Sequence, residues 1–129
     1  MYNVFRMEDF GGRGPFSNGH IESVYKEIDY PFQNMQIYPN PYGENLVLNN
    51  EDLFGSQWFC GTINLDYLFH WFPKDKLEKF EKAESYISVY KVSDPEDIRI
   101  GRTQVLFRRD RSKILHKIKP TEWEYLNFY

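Results

Sequence analysis

Alternation of apolar and polar positions begins at once. Over residues 2–7, YNVFRM, Val4 and Arg6 fall on one face of an extended strand and Asn3, Phe5 and Met7 on the other. The pattern stops at GGRGPFSNG (11–19), whose four glycines and one proline predict a loop. Ile21, Val24 and Ile28, three and four residues apart, predict a short helix over 20–28. Residues 30–57 carry little regular signal, because PF, YPNPYG, NN and FGS interrupt them. A short strand near 45–48 is the one element they suggest. So long a segment without clear elements is unusual in a compact domain and reads as a binding loop or lid.

Regular signals resume at WFCG (58–61), a short buried strand. Thr62 or Asn64 can cap the next helix, in which Leu65, Leu68, Phe69 and Phe72 keep helical spacing. Pro73 ends that helix and can open a second over 74–84, with Leu77 and Phe80 inward. Residues 85–93 form a strand with Ile87, Val89 and Lys91 on one face and Tyr86, Ser88, Tyr90 and Val92 on the other. SDPED (93–97) predicts a turn, 99–100 a short strand, and 103–109 a further strand in which Val105 and Phe107 alternate with Gln104, Leu106 and Arg108. DRS predicts a hairpin turn that returns residues 112–118 beside 103–109. A terminal turn or short helix follows over 120–125, docked by Trp123. This order predicts a compact single α+β domain over residues 1–129, with a largely antiparallel twisted sheet and two to three short helices.

Composition changes this picture in two places. Aromatics reach 19% of the chain, enough to build a core with few aliphatics and to offer stacking surfaces. The net charge is −3, yet residues 99–119 hold eight Lys or Arg against one acid, Asp110. That stretch reads either as a solvated strand pair or as an anion site for nucleotide phosphates or nucleic acid, with Arg108, Arg109 and Arg111 as its contacts. No apolar run is long enough for a membrane span, no secretory signal opens the chain, and Cys60 stands alone. The expectation is a cytoplasmic protein without a membrane partner.

Chemistry-bearing motifs are sparse. There is no P-loop and no G-x-G-x-x-G entering a helix. His20, His70, His116 and Cys60 are too widely spaced to predict a metal site. Cys60 reads as a small buried residue and His70 as a packing or helix-surface residue. Arg6 stands out: followed by a glycine-rich loop, it either offers a fork to phosphate or carboxylate, or pairs with Glu8 or Asp9.

Three segments, in their order, resemble the ADP-ribosyltransferase-like fold, in its small bacterial and phage branch. VFRMED leading to GRGPFS is similar to the first strand and its loop, which implies that Arg6 holds the phosphate or ribose side of NAD. WFCGTINLDYLFHWF is similar to the strand and turn lining the nicotinamide pocket, which implies Gly61 and Thr62 there. YISVYKVSDPEDIRIGRTQVLFRRD is similar to the late hairpin, and Gln104 stands where the family carries its catalytic Glu. A neutral amide stabilises a developing oxocarbenium charge much less well than a carboxylate. Glu8 and Asp97 are alternative carboxylates.

Three functions from different classes follow. The first is NAD-dependent ADP-ribosyl transfer to a protein or nucleic acid, in the manner of phage anti-defence or bacterial conflict proteins. There Arg6 and Gln104 would serve catalysis, and Tyr38, Tyr42 and Phe54 would sandwich nicotinamide. The second is a non-catalytic binding or inhibitor module that engages nucleic acid or a protein through the aromatic loop and the basic strand pair. A structural or assembly domain is the third, plainer reading.

Overall fold

The structure, a computed structural model, describes residues 1–12 and 58–127. The readings at 20–28 and 45–48, and the aromatic residues Tyr38, Tyr42 and Phe54, lie outside the described residues. Six strands are described: β1 (Tyr2–Asp9), β2 (Trp58–Gly61), β3 (Ser85–Val92), β4 (Ile98–Ile100), β5 (Val105–Arg108) and β6 (Lys113–Ile118). Two α-helices, α1 (Leu65–Trp71) and α2 (Leu77–Lys82), lie between β2 and β3. The class is α+β, and every pairing among the described strands is antiparallel.

The helices form where spacing and capping agree. The Asn64 side chain accepts a hydrogen bond from the Tyr67 amide at 2.8 Å, satisfying one of the free donors at the start of α1. Pro73 follows the last turn and opens a 3-10 turn, Lys74–Lys76, before α2 begins. The stretch read as one helix over 74–84 is thus a 3-10 turn and an α-helix of six residues. The terminal segment Pro120–Leu126 is also 3-10. Trp123 packs against the helix-side core and meets Phe69 edge-on, with ring centroids 5.2 Å apart.

The strands make two three-stranded sheets, ordered β1-β3-β6 and β2-β5-β4. Alternation along β1 and β3 divides the core. Phe5, Met7, Ile87 and Val89 pack with Leu68, Trp71, Phe72, Leu77 and Phe80 from the helices. On the opposite face, Val4, Tyr90 and Val92 pack with Ile98, Val105 and Phe107 of the second sheet. β1 and β3 are therefore a middle layer with both faces covered, while β6 at the edge is largely exposed. That is why β1 runs to Asp9, two residues past the predicted end, with Glu8 and Asp9 both buried.

The sheets are joined at one corner. Phe5 and Thr62 exchange backbone hydrogen bonds, at 2.7 Å from Phe5 N to Thr62 O and 2.8 Å in return. This links the strands into the run β6-β3-β1-β2-β5-β4, folded over on itself. Gly61 sits at the fold. A Cβ there would overlap Val4 Cγ1 and lie 3.1 Å from the Phe5 carbonyl oxygen. Neither a branched buried side chain nor paired backbone can yield easily, so Gly61→Ala is expected to lose about 1–3 kcal/mol of stability in urea unfolding.

One expectation is corrected. Residues 112–118 do not return beside 103–109. β6 pairs with β3, while β5 lies between β2 and β4 in the other sheet. The turn Arg109–Arg111 is a 3-10 turn that passes the chain between sheets. The physical reason is burial: Leu115 and Ile118 of β6 reach the helix-side core, whereas β5 places Val105 and Phe107 between the sheets. The basic residues at the chain's end are thus not a strand pair.

Candidate functional site

The site grows from one face of β1. Arg6 and Glu8 are two residues apart and so point the same way, and Ser88 and Tyr90 of β3 project on that face opposite them. Glu8 is 0% exposed. Its Oε1 accepts hydrogen bonds from the hydroxyls of Ser88 and Tyr90, each at 2.6 Å. Its Oε2 accepts from Arg6 Nε at 2.8 Å. Two further cations stand farther off, Arg109 Nη1 at 3.4 Å and Lys117 Nζ at 3.6 Å. Burial pushes the Glu8 carboxyl up. The two hydroxyls and the charges of Arg6 and Lys117 together outweigh that and hold it below the usual carboxylate range. Tyr90 moves the other way: burial, then its bond to the Glu8 carboxylate, push it up to about 12.

Arg6 is committed on every side. Besides Glu8, its Nη1 donates to the Cys60 carbonyl at 2.6 Å and its Nη2 to the Gly12 carbonyl at 3.2 Å. The pairing with Glu8 weighed from the sequence is therefore present. Arg6 also ties β1 to β2 and to the start of the glycine-rich segment. Gly61 and Thr62 lie beside it at the corner between sheets, with Thr62 buried and its hydroxyl donating to Asn64 O at 3.1 Å. Gln104 is buried just before β5, and its backbone carbonyl accepts from the Gly101 amide at 2.8 Å. Since Gly61 pairs with Val105, Gln104 stands in the register position next to Thr62.

The three arginines of the basic turn part company. Arg108 makes a bidentate pair with exposed Asp110, at 3.0 and 2.8 Å. Arg111 reaches buried Asp97 at 3.4 Å. Arg109 turns inward, donating to the Gly12 carbonyl at 2.6 Å with its guanidinium 3.7 Å over the Phe59 ring.

Sequence reasoning missed a surface at the end of this sheet. Phe10 is 79% exposed and meets Tyr86 edge-on, with centroids 6.2 Å apart. Lys117 Nζ lies 5.9 Å from the centre of the Phe10 ring and 5.7 Å from that of Tyr86. Ile87 pairs with Ile118, so exposed Lys119 takes the next position, opposite Tyr86. The available signal was Phe10 ending an alternating strand just before glycines. Only the pairing of β6 with β3, hidden from the sequence, brings the lysines beside it.

Among the described residues, no group of three His, Cys, Asp or Glu side chains could hold a metal ion. Among them too, no helix is long and apolar enough to cross a membrane. No curated protein and no solved structure matches the chain. A family model described as Bacteriophage T4 Y00F protein matches residues 1–121, and the chain belongs to that family.

Proposed function

We propose that this phage-family protein is a non-catalytic binding module that engages single-stranded nucleic acid at the Phe10–Tyr86–Lys117 surface. One observation carries the reading: a phenylalanine residue 79% exposed, its ring braced edge-on by a tyrosine and flanked by an ammonium group. An aromatic face in water beside a cation suits stacking of a base whose phosphate lies nearby. Exposed Lys119, in the register position opposite Tyr86, adds a second cation on the face of Lys117. The carboxylates considered for catalysis are otherwise engaged, Glu8 by hydroxyls and cations and Asp97 by Arg111. A labelled oligodeoxythymidine should bind with salt-dependent anisotropy, and Phe10→Ala should weaken binding at least about fivefold while leaving Tm unchanged. Salt-insensitive absence of binding, or an unaltered Phe10→Ala, would overturn it.

A second reading, NAD binding by an ADP-ribosyltransferase-like site, is favoured by one specific arrangement. Arg6 bonds to the carbonyl of Cys60, beside Gly61 and Thr62, and Gln104 stands in the register position opposite Thr62. The donors of Arg6 are committed to Glu8, Cys60 and Gly12, so a cofactor phosphate would have to displace the Gly12 carbonyl. A rise in Tm with NAD that Gln104→Ala removes would support this reading. The absence of any rise would remove it.

A further inference from the structure

Three cations converge on one carboxylate, and they are not held equally. Arg6 bonds Glu8 at 2.8 Å and has its remaining nitrogens on backbone carbonyls. With Ser88 and Tyr90 also bound, both Glu8 oxygens already have short partners. Arg109 and Lys117 approach the two oxygens from outside, at 3.4 and 3.6 Å, beyond the 2.7–2.9 Å or so of a strong charge-assisted bond. Their side chains are 26% and 28% exposed. The next acid along β1, Asp9, alternates to the opposite face. Among the described residues, therefore, two positive charges stand at the surface with a carboxylate between them that Arg6 has already neutralised.

Both cations are also held in place by neutral groups. Arg109 lies over Phe59 and donates to Gly12 O. Lys117 lies beside the paired rings of Phe10 and Tyr86 and reaches the Asp9 carbonyl at 3.4 Å. Aromatic faces and carbonyls orient a cation without cancelling its charge, so the remaining N–H donors keep their demand for an anion. A lone excess cation would relax into solvent; two anchored ones beside the same carboxylate make a positive site.

We infer that Arg109 and Lys117 form a phosphate-binding subsite, filled by the backbone phosphate next to the base stacked on Phe10. The inference rests on the nucleic-acid reading above and deepens it. Its shared chemistry is a phosphate group, which a free phosphate or mononucleotide could also supply.

The test is the salt dependence of oligodeoxythymidine affinity in the full chain. Each phosphate contact removed from a single strand should lower the slope of log affinity against log salt by about 0.7. Arg109→Gln and Lys117→Gln should each do so, and Arg109→Lys, which keeps the charge, should restore most of the slope. Thermal melts show which variants remain folded. If Arg109→Gln does not fold, the more exposed Lys117→Gln decides the matter. Unchanged slopes in folded variants, with Phe10→Ala still weakening binding, would overturn the subsite and leave the nucleic-acid reading standing. If the wild type binds no oligonucleotide, that reading falls, and inorganic phosphate and AMP test the subsite alone. A rise in Tm that Lys117→Gln abolishes would keep it; no rise would end it.

Discussion

Glu8→Ala is expected to lower the free energy of unfolding by about 3–5 kcal/mol, because it leaves a buried cation without its partner. Arg6 would keep two backbone carbonyls but lose its short contact with the Glu8 carboxylate, in a position almost closed to water. The Ser88 and Tyr90 hydroxyls would lose their acceptor as well. Urea unfolding at neutral pH measures the loss. The direction of the Glu8 shift adds a pH signature. Its folded value lies below the ordinary 4.5, so its contribution is fully present above about pH 4.5 and disappears as pH falls through the folded value. Wild-type stability should decline on acidification in that window. Glu8→Gln, which cannot titrate, should show a shallower decline. Parallel pH profiles for the two proteins would show that Glu8 is not the group responsible.

Phe80→Ala should cost a similar amount, about 3–5 kcal/mol, for a different reason. The ring is 0% exposed and meets Phe72 edge-on at 5.4 Å, between α2 and the sheet. Truncation opens a cavity that the helix, only six residues long, can close only by leaving the sheet. A lowered urea midpoint with an unchanged slope is the expected result. A loss under about 1 kcal/mol would contradict the packing of the helix layer. Phe10→Ala is the internal contrast: a phenylalanine of the same size, exposed to solvent, whose removal should touch binding and not stability.

These two positions differ in how legible they were. Phe80 follows from helical spacing with Leu77 and needs no tertiary information. Glu8 was visible only as a candidate partner of Arg6 or as a spare carboxylate. Its hydroxyl donors lie eighty residues away, and no local pattern announces which strand will stand opposite. The same limit explains the misplaced hairpin. Short separation along the chain favours pairing of neighbours, but β6 gains more by burying Leu115 and Ile118 against the helices.

From the sequence by itself came the elements, their order and their faces. A period of two or of 3.6 states which side of a segment is apolar, and β1, α1 and β3 follow that reading closely; β2, expected as a buried strand, is only half-buried. Asn64, one of two candidate caps, and Pro73 as a break between helices were equally local. The tertiary structure alone decided which strands neighbour one another, because a period of two names a face and never its partner. From that pairing came the two sheets joined at Phe5 and Thr62, the tight fit at Gly61 and the buried cluster on Glu8. It also placed Lys117 beside Phe10 and Tyr86. The candidate site is a product of packing between distant strands, which is why no motif along the chain marked it.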